Sequence, residues 1–357
     1  MCSRAKASVV NNMYFGRLLG ASLFFAAFGW CPPWLSPAVS KEVADPEPYR
    51  FFAVQAENDL YVADGDRHYT NGVRIAYGFR ENARPRALRW LRHLLPMKMP
   101  ETLAFEVAIG QNLYTPEIFF IPDPIPDDRP FAAWVFADAV ATARKPGREE
   151  SLVLTVGWIG EPALGDESQS FFHSIFGAPE PLGWDNQLRA EPTLQFRYQR
   201  SHFLPLIRDR DHRVRADIVP RVGGSLGNVF IDIGAGLTFR LGSNLVNRDT
   251  PLAIPPGLNG QTSRFEVRSG KVDWLIFAGG TARAVFHNLF LDGNSFRDSL
   301  SVDRRTFVWD TTAGAMLIFG FRKTPIAISF THALRAREFN EQIGRNRIGS
   351  LQVSIGF

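Results

Sequence analysis

The chain has 357 residues, of which 45% are hydrophobic and 13% aromatic, and its formal net charge is +4. The mean hydropathy of −0.10 argues against a helical membrane bundle, because such bundles need apolar runs of about 18 residues or more. High aromatic content with ordinary hydropathy instead favours a sheet that is apolar on one face only, and the length suits one large barrel or two ordinary domains.

The first 40 residues have the pattern of an export signal. A positively charged beginning is followed by an apolar stretch at 18–30, which is short for a membrane span, and by a small-residue cleavage pattern at 38–40. The positive charges are Arg4, Lys6 and Arg17. We therefore expect a signal peptide at 1–40 and a barrel domain at 41–357.

Both cysteines, Cys2 and Cys31, lie inside this leader. A lipoprotein anchor at Cys31 is disfavoured because Trp30 is too bulky for the preceding position, and an uncleaved anchor helix lacks a long apolar run. The mature chain would then have no disulfide, thiol nucleophile or cysteine-bound metal. It would carry 37 basic and 36 acidic residues, so its charge predicts no nucleic-acid partner.

Beyond residue 48, apolar and polar residues alternate in segments of about ten residues, separated by turn residues, which is the pattern of half-buried strands. The predicted strands, in chain order, are 49–59, 69–80, 102–114, 131–144, 151–161, 192–204, 212–227, 229–242, 271–287, 305–322, 325–339 and 348–357. An even count of twelve suits a closed antiparallel transmembrane β-barrel, which leaves no strand edge exposed to hydrocarbon.

The last strand, 350–357, alternates strictly and ends on Phe357. It resembles the closing strand of outer-membrane barrels, whose end is recognised by the barrel assembly machinery. If both termini are periplasmic, the segments 60–68, 115–130, 162–191 and 288–304 face outside. A long segment at 243–270 would then be periplasmic, which does not fit the short turns expected there.

The external segment 162–191 contains a helix signal. Asp166 can cap it, Gln169 follows three residues later, and Gly177 can end it. Gln169 and His173 would share one face. We expect a short amphipathic helix over the outer rim of the barrel, either packed there or covering a lipid-binding groove.

A polar cluster surrounds the first external loop. Asn58 and Asp59 end the first strand, and Thr70 lies in the opening of the second. Because these strands pair across a short loop, their side chains should meet at one rim. Hard oxygen ligands of this kind suit Ca²⁺, although solvated rim residues would look the same.

Seven motifs together resemble the outer-membrane lipid A 3-O-deacylase family, over residues 50–357. They are END at 57–59, DRHYTNG at 66–72, GQNLYTP at 110–116, DRPFA at 128–132, QSFFH at 169–173, GWDNQL at 183–188 and FLDGNSF at 290–296. The resemblance implies a twelve-stranded barrel that hydrolyses the ester-linked 3-position acyl chain of lipid A. It also implies a Ca²⁺ ion at the oxyanion and a histidine that activates water.

Matched to the family motifs, Asn58, Asp59 and Thr70 would be metal-site and catalytic residues, and His173 the base. A histidine suits this role at neutral pH, and a divalent cation stabilises an oxyanion. The family also has an acid soon after the histidine. Here Pro179 occupies the matching position and Glu180 is the nearby candidate.

A second departure lies in the loop at 117–128. A family lysine has no counterpart there, because this loop contains no Lys or Arg. Arg129 could substitute for it as the cation that holds a lipid A phosphate, or the enzyme could prefer another lipid. The aromatic run at 119–121 could instead contact acyl chains, or simply belong to a surface loop.

Two other functions stay open. One is another outer-membrane lipid hydrolase of the phospholipase type, although no Gly-x-Ser-x-Gly motif is present. The other is a non-catalytic barrel, such as a channel, adhesin or structural protein. For the deacylase we expect lipid A of lipopolysaccharide as substrate, surrounding outer-membrane lipids as neighbours, a monomer, and an active site facing the cell exterior.

Overall fold

The computed structural model describes residues 50–61, 68–80, 90–177, 179–245, 272–321 and 324–357. The predicted leader at 1–40 and most of the segment 243–270 lie outside these ranges. Strands dominate, with three α-helices: α1 (Leu91–Leu94), α2 (Gly165–Phe176) and α3 (Leu289–Asp292). No helix in these ranges is long and apolar enough to cross a membrane.

Each strand pairs antiparallel with its neighbours, and β1 pairs with the last strand. The strands are β1 (Arg50–Asn58), β2 (His68–Arg80), β3 (Thr102–Thr115), β4 (Ala132–Lys145), β5 (Arg148–Ile159), β6 (Glu191–His202), β7 (Leu204–Arg208), β8 (Val214–Gly227), β9 (Phe230–Gly242), β10 (Asp273–Asn288), β11 (Phe307–Phe321), β12 (Thr324–Arg335) and β13 (Asn346–Gly356).

The ring closes through β8, which pairs with β6 along Arg221–Gly227 and with the short β7 further down. The strands β6 and β7 thus share one position, and the barrel has the predicted twelve. The bounds agree with prediction to within a few residues. The largest differences are at β12, which ends at Arg335 rather than at 339, and at β5, which begins at Arg148 rather than at 151.

The alternation of the strands separates an apolar outer surface from a polar interior. In β1, Phe52 and Val54 are about two-fifths exposed on the outside, whereas Gln55 and Glu57 are buried inside. The apolar outer side chains can lie against the hydrocarbon of a membrane, whereas the polar inner side chains need polar partners within the barrel. This pattern is that of a membrane barrel rather than of a soluble sandwich.

Ion pairs fill the barrel interior. Arg74 on β2 binds Glu106 and Asp138 at 2.5 and 3.1 Å. On the opposite wall, Asp310 accepts from Arg335 at 2.8 Å and lies 3.5 Å from Arg283. Buried ion pairs of this kind therefore occupy the interior on two sides of the barrel.

An aromatic cluster lies inside the barrel near the end of β3. The three apolar residues of α3 have no exposed surface, and Phe290 stacks on Tyr114 with ring centroids 4.0 Å apart. Trp134 and Phe230 also contact Phe290. We call α3 and its aromatic neighbours the plug. No buried helix was predicted for this segment.

The strand directions define two rims. Strands β1, β3 and β5 end at the rim where β2, β4 and β6 begin, and we call it the loop rim. The described parts of four connections, 59–61, 116–131, 160–177 with 179–190, and 289–306, lie there, as the strand count predicted. The short turn at 146–147 lies at the opposite rim.

Candidate active site

Asp59 and Thr70 meet across the first hairpin of the loop rim. The β1–β2 register ends at the pair Asn58 and Asn71, so one further step places Asp59 opposite Thr70. Asp59 begins a 3-10 turn and is 3% exposed. Asn58 lies on the outward-facing side of β1 and is half-buried. The sequence-predicted oxygen ligands therefore occupy adjacent positions at one rim.

A β-bulge sets the position of Thr70. In the β2–β3 pairing, Tyr69 faces Tyr114 and Asn71 faces Leu113, so Thr70 is the extra residue. A bulge re-aims the side chain it carries and interrupts the ladder. As a result His68, Tyr69 and Thr70 are all buried in succession. The Thr70 hydroxyl lies 2.7 Å from the hydroxyl of Thr115.

Tyr69 supports this hairpin from the inside. Its hydroxyl donates to Glu57 at 2.6 Å and lies 3.3 Å from an oxygen of Asn112. A Cβ at Gly72 would lie 2.1 Å from that hydroxyl, so the contact requires glycine there. These four residues were not predicted as functional, although all of them belong to the quoted motifs.

The helix α2 carries His173 as predicted, but its start differs. The N-cap is Leu164, in a left-handed conformation, and Asp166 lies within the first turn. A 3-10 turn at 161–163 leads directly into the helix, so Asp166 is too late to cap it. Its charge still complements the helix dipole. Gly177 ends the helix with φ of 69°, as predicted.

Gln169 and His173 face the barrel on one side of α2, and both are buried. Gln169 accepts a hydrogen bond from the indole of Trp184 at 2.8 Å. From the barrel wall, Gln111 donates to Ser168 at 2.9 Å. The helix that bears His173 is thus attached to the barrel wall and to the connection that follows it.

The imidazole of His173 is held in one orientation. Its Nδ1 hydrogen-bonds the backbone carbonyl of Pro179, and its ring meets Phe119 edge-on at 5.3 Å. A carbonyl can only accept, so Nδ1 must carry the proton. In the neutral ring the lone pair then lies on Nε2, which is the tautomer that a general base needs.

The side chain of Glu180 is exposed. The position where the family pattern has an acid is filled by Pro179, whose carbonyl contacts His173 directly. The structure therefore provides a backbone acceptor where the sequence suggested a carboxylate. Glu180 remains a candidate, at the surface beside this acceptor.

The loop 117–128 is built around Asp128, which accepts from the backbone N–H of Glu117 and of Arg129 at 2.7 Å each. Burial raises the pKa of Asp128. Arg129, the possible replacement for the family lysine, is 1% exposed and lies over the Tyr114 ring, 3.7 Å from Glu338. Its charge is thus directed into the barrel, toward Glu338.

A small cavity of about 90 Å³ lies beside this loop. It is lined by residues of the loop and of two neighbouring connections: Pro116, Asp123, Pro124, Ile125, Pro126, Asp127, Asp128, Arg129, Pro130, Phe131, Gly183, Asn186, Leu300 and Ser301. His173 is not among them, so the cavity adjoins the candidate site without containing the imidazole.

A five-residue segment joins the two halves of the site. Thr115 contacts Thr70, and Phe119 contacts His173. Four consecutive Cα–Cα steps reach at most about 15 Å. The segment therefore connects a contact of Thr70 with a contact of the imidazole, and both contacts lie at the loop rim.

The oxygen donors suit a hard cation. Asp59 supplies a carboxylate, Asn58 an amide oxygen, and Thr70 a hydroxyl beside an interrupted ladder, which are ligand types that Ca²⁺ accepts. The described residues contain no cluster of three or more His, Cys, Asp or Glu side chains that could hold a metal. A single carboxylate implies modest affinity, with other ligands from water or substrate.

Comparisons with known proteins identify the family. The profile of the outer membrane protein LpxR matches residues 23–357. Among solved structures, LpxR from Salmonella typhimurium superposes with a TM-score of 0.68 at 22% identity, covering 86% of this chain and 99% of that one. The β domain of the Bordetella autotransporter BrkA reaches only 0.42 at 10% identity, covering 87% and 98%. No curated protein matches. The family match spans nearly the whole chain and the barrel agrees with it, so this protein belongs to the LpxR family of outer membrane proteins.

Proposed function

We propose that this barrel is a Ca²⁺-dependent lipid A 3-O-deacylase, with its loop rim facing the cell exterior. The observation that carries the proposal is the fixed imidazole of His173, which adjoins the segment that also contacts the metal-side residue Thr70. Family membership and a barrel closed by its own side chains agree with an enzyme that works at the rim.

In the proposed reaction, His173 Nε2 takes a proton from water. The oxygen of that water forms a bond to the carbonyl carbon of the 3-position ester. When the intermediate collapses, the bond between the acyl carbon and the sugar oxygen breaks. The imidazolium returns its proton to this leaving oxygen. The products are a free 3-hydroxy fatty acid and lipid A with a free 3-hydroxyl group.

The residues of the β1–β2 hairpin would stabilise, through a bound cation, the negative charge that develops on the carbonyl oxygen. Asn58, Asp59 and Thr70 would hold the cation, which when bound supplies positive charge where the carbonyl oxygen becomes negative. We place Glu180 at the surface of the site, beside the carbonyl that orients His173. We further propose a monomer whose 1–40 leader is removed on export and whose insertion uses the barrel assembly machinery.

The direct test uses the purified barrel and lipopolysaccharide in detergent. Liquid chromatography with mass spectrometry should detect released 3-hydroxy fatty acid in Ca²⁺ and none in a Ca²⁺ chelator. His173→Gln should lower the rate by about 100-fold to 10,000-fold. His93→Gln, a surface histidine in α1 at the opposite rim, is the matched control and should keep wild-type activity.

The alternatives give different results in the same assay. A phospholipase would release fatty acid from phospholipid vesicles and leave lipopolysaccharide intact, with a rate insensitive to His173→Gln. A channel would conduct ions in planar bilayers and release no acid. The ion pairs and the plug that fill the interior favour the enzyme over the channel.

A further inference from the structure

Residues 115–119 leave the end of β3 and touch both halves of the candidate site. At one end, the Thr115 hydroxyl lies 2.7 Å from that of Thr70, and at the other the Phe119 ring meets the His173 ring at 5.3 Å. The two contacts lie four residues apart along one short stretch of backbone. The segment can therefore keep a fixed distance between Thr70, at the proposed metal site, and the base His173.

At its first end, the segment orients the hydroxyl of Thr70 through a hydrogen bond with Thr115. Thr115 has no exposed surface and Thr70 is 2% exposed, so the contact between the two hydroxyls is shielded from solvent. If Thr70 donates to Thr115, the lone pairs of Thr70 are left for a cation. Groups of this kind, one step behind a ligand, orient it and raise the affinity of the site.

At its second end, the segment supports an imidazole. Phe119 is 7% exposed and packs in a buried cluster with Leu113, Phe131 and Trp184. Its carbonyl accepts from the N–H of Leu182 at 3.0 Å, in the connection that also contains Pro179. The ring is thus fixed from both sides, and it is a support for His173 rather than a contact for acyl chains.

The middle of the segment is also constrained. Pro116 fixes its own φ angle, and Glu117 donates its N–H to Asp128 at 2.7 Å. A loop attached at its start, middle and end has few ways to change its length. We propose that residues 115–119 are a positioning element that sets the spacing between the Ca²⁺-binding hairpin and the His173 base. This inference rests on the proposed function.

The metal end is tested with Thr115→Val, which keeps the shape of the side chain and removes its hydroxyl. Ca²⁺ binding to the refolded barrel in detergent, measured by titration calorimetry, should weaken about 10-fold to 100-fold. Thr115→Ser should restore it. Thr193→Val, which removes a buried hydroxyl that accepts from Trp134 at 3.0 Å, is the matched control and should leave Ca²⁺ affinity unchanged.

The base end is tested with Phe119→Leu. Loss of the ring should lower kcat on the order of tenfold or more, because small misplacement of a catalytic group is costly, while KM and Ca²⁺ affinity stay the same. The ¹⁵N spectrum of His173 should lose its single-tautomer signature. Phe131→Leu removes a ring from the same cluster that contacts Trp184, and should change stability but neither the spectrum nor kcat.

Two results would overturn the inference while leaving the proposed function intact. One is a Thr115→Val barrel that cleaves lipid A and binds Ca²⁺ like wild type. The other is a Phe119→Leu barrel with unchanged kcat and imidazole spectrum. A wild-type barrel that releases no acyl chain would instead contradict the proposed function. Ca²⁺ affinity and the His173 spectrum would still show whether residues 115–119 position the hairpin and the imidazole.

Discussion

His173 donates its Nδ1 hydrogen to the backbone carbonyl of Pro179, and this bond selects the tautomer of the imidazole. A catalytic histidine is usually oriented by a carboxylate or a carbonyl at one nitrogen, so that the other can take a proton. A backbone carbonyl cannot be protonated at physiological pH. The orientation of this histidine should therefore not depend on the charge of a neighbouring acid.

The role of Glu180 follows from that contact. Its side chain is exposed, and Glu180→Gln leaves the Pro179 carbonyl in place. We expect a rate loss of less than about tenfold, far smaller than the loss from removing a general base. Release of 3-hydroxy fatty acid from lipopolysaccharide measures it. A loss as large as that of His173→Gln would show that the carboxylate has the catalytic role instead.

The cation should be necessary and should depend on Asp59. Asp59→Asn keeps the shape of the side chain but removes the negative charge from a ligand set with one carboxylate. We expect Ca²⁺ affinity to fall at least tenfold, because carboxylate count tunes such sites. Activity should disappear in a chelator and return with added Ca²⁺. Wild-type Ca²⁺ binding in Asp59→Asn would place the metal elsewhere.

Asp310 is predicted to be important for folding but not for chemistry. It accepts from Arg335 and lies beside Arg283 deep in the barrel. Asp310→Asn would remove the acid shared by two buried cations, of which Arg335 keeps only the more distant Glu338 at 3.8 Å, and should cost about 3–5 kcal/mol of unfolding free energy. Urea titration of the barrel in detergent gives this value. An unchanged midpoint would mean that water reaches and solvates both arginines.

The plug should stabilise the barrel, but its loss alone should not open the interior to ions. Phe290→Ala removes a ring with no exposed surface that stacks on Tyr114, and should cost about 3–5 kcal/mol. Planar bilayers should show no steady conductance, because buried ion pairs still occupy the interior. Phe296→Ala, at a ring 74% exposed on the same connection, is the control. Open channels in Phe290→Ala would identify the plug as a gate.

The strands were predictable because alternation records the two environments of a barrel wall. β1 and β13 show it most clearly, since apolar residues face outward and polar ones inward. The start of β5 was missed because its first residues do not alternate between apolar and polar. Its first residues, Arg148 to Glu150, are charged and read as a turn, yet Glu149 pairs with Arg144 and Glu150 with Arg200. Only the register of the folded sheet brings those partners together.

The placement of the candidate residues at one rim was predictable, but their local arrangement was not. The motifs indicated Asp59, Thr70 and His173, and the strand count placed them at one rim. The bulge at Thr70 depends on pairing with β3, which no local pattern encodes. The contact between His173 and Pro179 depends on the path of the connection after the helix. The family resemblance suggested an acidic residue there, and a backbone contact of this kind leaves no residue pattern in the sequence.

The central claim is that His173 catalyses hydrolysis of the 3-position ester in the outer membrane. Mass spectrometry of lipid A from a lipopolysaccharide-producing host that expresses the barrel tests it most directly. Wild type should show loss of one 3-hydroxyacyl mass, and His173→Gln, inserted at the same level, should show intact lipid A. Intact lipid A with properly inserted wild-type protein, or equal loss in both, would contradict the account.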